Sequence, residues 1–432
     1  MKSIWSEMEL PAFPKLQQDI TTDVLIVGGG MAGILLAYYL HQNNVDYVLA
    51  EKDGIGCGTT KNTTAKITAQ HGLIYHKLAQ NYGLELARKY LDANLLACKE
   101  YKRLCENIAC DYEVKNNFVY SVSDKQILID EMATLDKLHF ESRYADDLPI
   151  PIDTVGAVEF PNQAQFHPYK FLAKIAKDLH VYEHTFVKKV EKNVAITDGG
   201  TIRADNIVIA THFPFINTHG AYFLKLYQHR SYVIAIKPGE QVDGMYVDEN
   251  NLGYSFRNQG DMLLLGGGGH RTGKPGGGWE ELRTFAKHKF PDASEKFHWA
   301  AQDCMSLDDI PYIGKYGRML HGVYVATGFH KWGMTSSMVA AQILTDEILG
   351  KSNEYADVFL PQRSMMTKQL FINIGEATCN LLTPSKRRCS HMGCALKWNE
   401  QEHTWDCPCH GSRYTENGTL LQNPSQKGLI LK

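Results

Sequence analysis

Val24-Leu-Ile-Val27-Gly28-Gly29-Gly30-Met31-Ala32-Gly33, followed by the apolar run 34–40, decides the fold of most of this chain. Four apolar residues read as a short buried strand, and the run after the glycines reads as a helix. Gly28, Gly30 and Gly33 fit the spacing G-x-G-x-x-G. The first permits a tight turn, the second lets a pyrophosphate approach the backbone, and the third lets helix and strand pack closely. Met31 and Ala32 open the helix, whose N-terminal N–H groups favour a phosphate. A glycine turn by itself is a weak signal, but here the context agrees. Tyr47-Val-Leu-Ala50 reads as the second strand of the unit and ends at Glu51, eighteen residues after Gly33, with Lys52 beside it. A carboxylate there suits ribose hydroxyls and disfavours a 2′-phosphate.

Outward from this motif, the bulk numbers set bounds. The chain has 432 residues, long for one core, so two or three folding units are expected. With 44% hydrophobic and 22% charged residues, long disorder is not expected. A formal net charge of -3 points to neither nucleic acid nor an anionic membrane as the main partner. There is no run of about 18 apolar residues, so no spanning helix is expected. Residues 1–16 show no secretory pattern, and the expected location is the cytoplasm.

The ten cysteines are unevenly spread: Cys389, Cys394, Cys407 and Cys409 fall within 21 residues. They sit in Cys389-Ser-His391-Met-Gly-Cys394 and Cys407-Pro-Cys409-His410-Gly-Ser412-Arg-Tyr414. Outside an oxidising compartment such density reads as a metal site before a disulfide framework. Each loop offers a thiolate and an imidazole. That donor set alone also suits a structural Cys₂His₂ zinc site, which assigns nothing to Cys394, Cys409, Pro408 or Ser412.

The paired loops resemble the Rieske [2Fe–2S] family. The resemblance implies that Cys389 and Cys407 bind one iron and His391 and His410 the other. It also implies a Cys394–Cys409 disulfide, and hydrogen bonds from Ser412 and Tyr414 to cluster and ligand sulfurs. Such bonds favour the reduced cluster, implying a potential of roughly 0 to +300 mV. Asn417-Gly418 reads as a hairpin turn and 428–431 as a closing strand. The base before the first ligand loop, 383–388, is short for this family.

A second resemblance spans nearly the whole chain. Val323-Tyr-Val-Ala-Thr-Gly328-Phe-His-Lys331-Trp-Gly333-Met334-Thr335 and Asp309-Ile-Pro-Tyr-Ile-Gly314 resemble the late flavin segment of the D-amino-acid oxidase/glycine oxidase-like superfamily. Ile207-Val-Ile-Ala-Thr211 resembles the strand that closes its FAD domain. Gly58-Thr59-Thr60-Lys-Asn-Thr-Thr64-Ala65-Lys66 resembles the flavin loop of members fused to Rieske domains. The resemblance implies FAD rather than NAD, held by these residues together with Gly28–Gly33, Glu51 and Lys52. A helix beginning near Gly333 would aim its positive end at the flavin, with Lys331 either adding charge or lying solvated.

The expected architecture is an α/β Rossmann-like FAD-binding domain, an inserted α+β substrate domain and a small all-β Rieske domain. FAD segments are expected at 20–80, 155–215 and 305–350, the substrate domain at 81–154 and 216–304. A linker helix is expected within 351–382, and the Rieske domain over 383–432. Residues 78–107 have helical periodicity, 232–236 and 262–265 suit strands, and glycines 266–269 and 276–278 suit turns. The run Lys386-Arg387-Arg388 reads as a solvated patch or, alternatively, a docking site for an acidic carrier.

Polar groups beside strand ends are the candidate substrate residues: Gln165, His167, Arg230, Tyr232, Tyr254, Arg257, His270 and Arg271, with Lys331 from the flavin segment. An arginine and a tyrosine together would clamp a carboxylate. Two cofactors in one chain imply conversion of an electron pair into single electrons. The expected activity is a dehydrogenase oxidising a small amine or amino acid through FAD and passing electrons through the cluster to an external one-electron acceptor. The alternatives are the reverse current, or a non-catalytic redox sensor or carrier.

Overall fold

The computed structural model describes residues 2–238, 240–250 and 253–431. Strand Ile20–Val27 lies at the centre of an eight-stranded sheet, parallel to Tyr47–Ala50 on one side and to Thr201–Ile209 on the other. Leu320–Thr327 continues the parallel order beyond Thr201–Ile209. Residues 24–27 are all buried because both faces of the sheet are covered, which is why the strand reads as continuously apolar. Helices Met31–Gln42 and Gly333–Ile348 pack Ile34, Leu35, Met338 and Ala341 with Ile26 in one core. Leu25 and Val27 join Ile207, Ile209, Val323 and Val325 in the core on the opposite face.

The glycine turn holds these layers together. Gly28 has φ +112°, and a Cβ there would lie 2.6 Å from the Ala210 carbonyl oxygen. A Cβ on Gly33 would lie 1.9 Å from the Gly28 carbonyl oxygen, inside the helix–strand contact. No flexible side-chain end is available to yield there. Gly33→Ala is therefore expected to destabilise the protein by at least about 3 kcal/mol and to lower the melting temperature in scanning calorimetry. Stability within about 1 kcal/mol of the parent would contradict this packing.

The second layer is a nine-stranded, mostly antiparallel sheet in the order Ser294–Met305, Tyr227–Lys237, Met262–Arg271, Ser255–Gln259, Met245–Asp248, Glu113–Ser121, Gly156–Gln165, Lys66–Ile67. The short strand Arg143–Ala145 adds to Gly156–Gln165. Helix Leu84–Cys105 packs on helix Tyr75–Tyr82 and shares the core of helix Gly333–Ile348, while helix Lys125–Lys137 packs on strand Gly156–Gln165. The segment 155–215 is thus shared between the two sheets, because its first strand pairs with Glu113–Ser121.

Two local expectations are corrected. The helical stretch 78–107 is two helices, broken at Gly83, whose φ of +90° interrupts the helix. Glycines 266–269 are no turn: they lie inside strand Met262–Arg271. The register shifts between Arg230 and Tyr232 opposite them, and Gly268 has φ +57° with the Gly278 carbonyl oxygen 2.3 Å from where a Cβ would stand. The glycines make a bulge that admits the backbone leading into helix Gly278–Lys289.

After Gly333–Ile348 the chain crosses to a linker helix, Lys368–Leu382, and then to a small β module. Its strands Lys397–Asn399, Thr404–Asp406, Arg413–Thr415 and Leu420–Gln422 form an antiparallel sheet, and Arg387–Arg388 pairs with Ile430–Leu431. Gly418, at φ +86°, turns the third strand into the fourth. The module's core is Cys389, Cys394, Leu396, Cys407, Cys409 and Tyr414. Among the described residues no helix is long and apolar enough to cross a membrane.

Candidate functional site

A cavity of about 730 Å³ runs past the N-terminus of helix Met31–Gln42, between the two large sheets, to residues 420–426 of the β module. Gly28, Gly30, Met31, Ala32, Glu51, Lys52, Thr59, Thr60, Thr64, Thr211, Gly328, Gly333 and Met334 line it. Gly33, Ala65 and Thr335 stand behind its wall. Gly33 closes the helix–strand contact, and Thr335 shares hydrogen bonds with Thr68 and His71.

The cradle has the chemistry of a dinucleotide site. A Cβ on Gly30 would meet nothing nearer than Thr60 Oγ1 at 3.6 Å, so the backbone there is open to a bulky anion. Thr60 Oγ1 accepts from Met31 N at 3.1 Å. Glu51 accepts from the N–H groups of Gly29 (2.6 Å) and Asp53 (2.9 Å), which fixes its carboxylate in the wall. Burial still pushes that carboxyl above its ordinary range, against the two amide bonds. Length, glycine openings and acidic wall together fit FAD.

Past the cradle, His330 and Lys331 take left-handed backbone conformations, φ +48° and +70°, just before helix Gly333–Ile348. His330 Nε2 lies 3.1 Å from Asp309 Oδ1, and Asp309 also pairs with Lys77. Lys331 is a half-buried residue that lines the cavity; burial lowers its pKa, opposed by Asp303.

Several functional-looking groups escaped the sequence reading. His71 Nδ1 is 2.7 Å from Tyr90 Oη, its Nε2 is 2.8 Å from Thr335 Oγ1, and its ring stacks on Trp332 at 5.2 Å. Lys66 ends the quoted flavin loop, yet its half-buried ammonium in the cavity wall, brought down to about 7 by burial and by Arg257, is a property of the fold. The loop pattern was the one signal that pointed at it.

The candidate substrate residues are not brought together. Tyr232 and Lys331 line the cavity. His167 instead caps helix Pro168–Ile175, accepting from Lys170 N, and packs edge-on against Trp5. Arg257 is buried on the carbonyls of Thr64 and Ala65, where it braces the flavin loop from behind. Tyr254 packs on Phe285, and Gln165 bonds to Asn258 O within the sheet. His270 meets the Tyr232 hydroxyl at 3.0 Å. Arg230 and Arg271 face the β module: Arg230 pairs with Glu402, and Arg271 donates to Pro408 O.

Within that module the two imidazoles converge. His391 Nδ1 and His410 Nδ1 are 3.3 Å apart. Their outer nitrogens meet acceptors from another part of the chain: His391 Nε2 is 2.9 Å from Asn217 Oδ1, and His410 Nε2 is 2.9 Å from Phe223 O. Burial takes both imidazoles well below the usual histidine range, to about 4 and about 3, so they are neutral, as metal ligands must be. Cys389 Sγ lies 3.2 Å from Tyr414 Oη. The sulfurs of Cys394, Cys407 and Cys409 lie within 4.8 Å of one another, and no disulfide joins Cys394 to Cys409. Inward-facing Nδ1 atoms, outward-bonded Nε2 atoms and buried thiols fit a [2Fe–2S] centre with two imidazole ligands. Ser412 Oγ accepts from Ser425 N at 3.0 Å, which ties the second loop to the segment around Ser425.

The module is docked firmly on the rest of the chain. Gln228 and Gln302 donate to the carbonyls of His410 and Gly411, both at 2.7 Å. Asn423 donates to Thr211 O and Phe213 O. Beside them, buried Glu402 takes Arg230 from the large sheet and Arg413 from its own module, and Arg413 also holds Asp406. Arg387, from the basic run, lies over the Trp405 ring, and Arg388 donates to the carbonyls of Thr383 and Gly393. Two of the three cations are therefore engaged with the module itself.

The family model for FAD dependent oxidoreductases (DAO) matches residues 23–347, and that for the Rieske [2Fe-2S] domain matches 361–431. The chain is 34% identical to the Bacillus subtilis (strain 168) protein YhfW, whose name describes a Rieske 2Fe-2S iron-sulfur protein, over 98% of this chain and 95% of that one. Among solved structures, glycine oxidase from Geobacillus kaustophilus superposes with a TM-score of 0.66 at 20% identity, covering 80% of this chain and 99% of its own. L-proline dehydrogenase from P. horikoshii gives 0.66 at 16% identity, covering 81% and 98%.

Proposed function

This chain belongs to the FAD-dependent oxidoreductase family and ends in a Rieske [2Fe–2S] domain, and from that premise we propose that it is a dehydrogenase for a small amine or amino acid that delivers single electrons to an external acceptor. The supporting observation is the contact between the cluster imidazoles and the segment that follows the strand Thr201–Ile209. His391 meets Asn217, His410 meets Phe223 O, and the Phe213 ring stands 6.5 Å and 6.1 Å from the two imidazoles. Residues 420–426 of the cluster module line the same cavity as the glycine cradle. A fold that placed the two centres for separate tasks would have no need of that contact.

When bound, FAD supplies two-electron chemistry with substrate and the cluster supplies one-electron exchange. The residues of the chain do the rest. The turn Gly28–Gly33 and the N–H groups of its helix hold a pyrophosphate, and Glu51 holds a ribose. Trp332 and His71 stack into one wall beside the reaction space, while Tyr232 and Lys331 offer an hydroxyl and a cation to a substrate. Lys66 is the group suited to accept a proton at Nζ, since an amine must lose one before its C–H bond yields a hydride. The substrate class rests on the names of the two solved structures of like fold, both of which act on amino acids.

Anaerobic titration tests the proposal. Small amines and amino acids are expected to reduce both centres, the flavin bleaching first on rapid anaerobic mixing and the EPR signal of the reduced cluster following in time. The rate of bleaching is expected to rise with pH through about 7, as Lys66 loses its proton, and to lose that rise in Lys66→Met. If no amine bleaches the flavin while a chemical donor reduces the cluster, the dehydrogenase reading fails.

A further inference from the structure

The linker helix Lys368–Leu382 is amphipathic in the wrong sense for a folded core. Its inward side carries two amides beside Leu370 and Ala377. Asn373 is buried, accepting from Arg271 and donating to Leu224 O, and the carbonyl of buried Asn380 accepts from Ala395 N. Its outward side is apolar: Phe371 is 60% exposed and Leu382 78%, with Ile372, Ile374 and Leu381 beside them. Met366 and Met392 extend the exposed apolar surface, and Met392 adjoins the cluster ligand His391. An apolar stripe of this kind on a water-facing helix marks an interaction surface.

The chemistry of the face indicates its occupant. A protein partner would be met by a rim of directional groups, about one hydrogen bond per 100–200 Å². Here the hydroxyls are taken up by the helix's own backbone: Thr378 donates to Ile374 O and Thr383 to Cys379 O. The exposed positions carry no carboxylate. Glu376, toward the inner side, is held by Lys274 at 2.8 Å. Exposed Lys368 precedes the stripe, and exposed Lys386 and Arg387 follow it. An apolar face bracketed by cations complements an anionic lipid surface. The helix spans roughly 22 Å, too short to cross a hydrocarbon core of about 30 Å, so it would lie flat. The slightly negative net charge of the whole chain does not oppose this, because the attraction falls off within a Debye length and only the local cations count.

We propose that the linker helix seats the protein on an anionic membrane surface, Phe371 and Leu382 entering the acyl boundary and Lys368 and Lys386 meeting headgroups. Exposed Met392, next in sequence to His391, then lies beside the bilayer.

Co-sedimentation of the holoprotein with vesicles tests this without reference to turnover. Binding is expected to vesicles of phosphatidylcholine mixed with phosphatidylglycerol, and at least tenfold less to phosphatidylcholine alone. Phe371→Ser combined with Leu382→Ser is expected to abolish binding while flavin and cluster absorption stay intact. Lys368→Gln and Lys386→Gln are each expected to weaken it roughly fivefold. A gain-of-signal variant, Phe371→Trp, is expected to show blue-shifted emission when the mixed vesicles are added. Absence of binding to the mixed vesicles overturns the proposal, as does binding that survives the double substitution. So does a dimer in lipid-free solution that the double substitution splits, which would make the face a contact between two copies. A dehydrogenase that binds no vesicle leaves the proposed function standing and sinks only this inference.

Discussion

Cys407→Ser is expected to remove the cluster's visible absorption and its EPR signal while leaving flavin reduction by substrate unchanged. Cys407 is fully buried at the start of the second loop, and its N–H bonds to Ser412 O, so its neighbours keep the loop in place when the sulfur goes. The loss is therefore chemical before it is structural. Transfer to a one-electron acceptor should fall by more than the ~10–100-fold that loss of an outer-shell partner costs at a metal site. Tyr414→Phe is the graded companion. It deletes the hydroxyl 3.2 Å from Cys389 Sγ but leaves every ligand. The cluster should persist with a potential lowered by roughly 20–60 mV, the equivalent of one hydrogen bond. Redox titration followed by EPR reads both outcomes. A Cys407→Ser protein that kept a normal signal would remove this residue from the ligand set.

Glu402→Gln is expected to loosen the β module from the large sheet at a cost of about 3–5 kcal/mol. Its carboxylate, almost without solvent exposure, lies between Arg230 and Arg413 and also accepts from Tyr232 Oη at 3.1 Å. Removing its charge takes the paired carboxylate from Arg230 and leaves Arg413 with Asp406. The double variant Glu402→Met with Arg230→Met should cost less than the single one, because no unpaired charge remains at that contact. Hydrogen exchange over 383–431 and calorimetry distinguish these outcomes. Acid should act in the same direction. Burial pushes the Glu402 carboxyl up, but the two arginines outweigh it and hold it at about 2. A carboxyl depressed in the folded state stabilises above its unfolded pKa, near 4.3, and loses that contribution as pH falls toward its folded value. Docking should thus be intact at neutral pH and weaken progressively between pH 4.3 and about 2. Docking unchanged across that window would show that the ion network does not hold the module.

The residues that were legible in the sequence are those whose requirement is local. Gly28 and Gly33 are needed because a Cβ would strike the backbone a few residues away or on the neighbouring strand, and the spacing alone carries that need. The cluster loops are legible for the same reason, since each puts its thiolate and imidazole a few positions apart. Arg230 was illegible. An arginine beside an aromatic on a strand reads equally as a carboxylate clamp and as half of a buried pair, and its partner Glu402 lies 172 positions away. Arg257 misled in the same way, because the carbonyls it braces belong to Thr64 and Ala65. Gly266–Gly269 look like a turn in one dimension. Only packing against Gly278 shows that they are a bulge inside a long strand. The carboxylate clamp expected from arginine and tyrosine is thus not assembled from the residues first chosen; Tyr232, Lys331, Lys66 and His71 form the wall instead.

The outer nitrogens of both imidazoles are tied to Asn217 and to the Phe223 carbonyl, and the loops around them to Gln228 and Gln302. A tether of that kind would hold a bound cluster at a fixed distance from a flavin in the glycine cradle. No head group has to commute between a loading and an unloading position, so solvent friction has no stroke to slow, and turnover in glycerol should match turnover in buffer once substrate diffusion is allowed for.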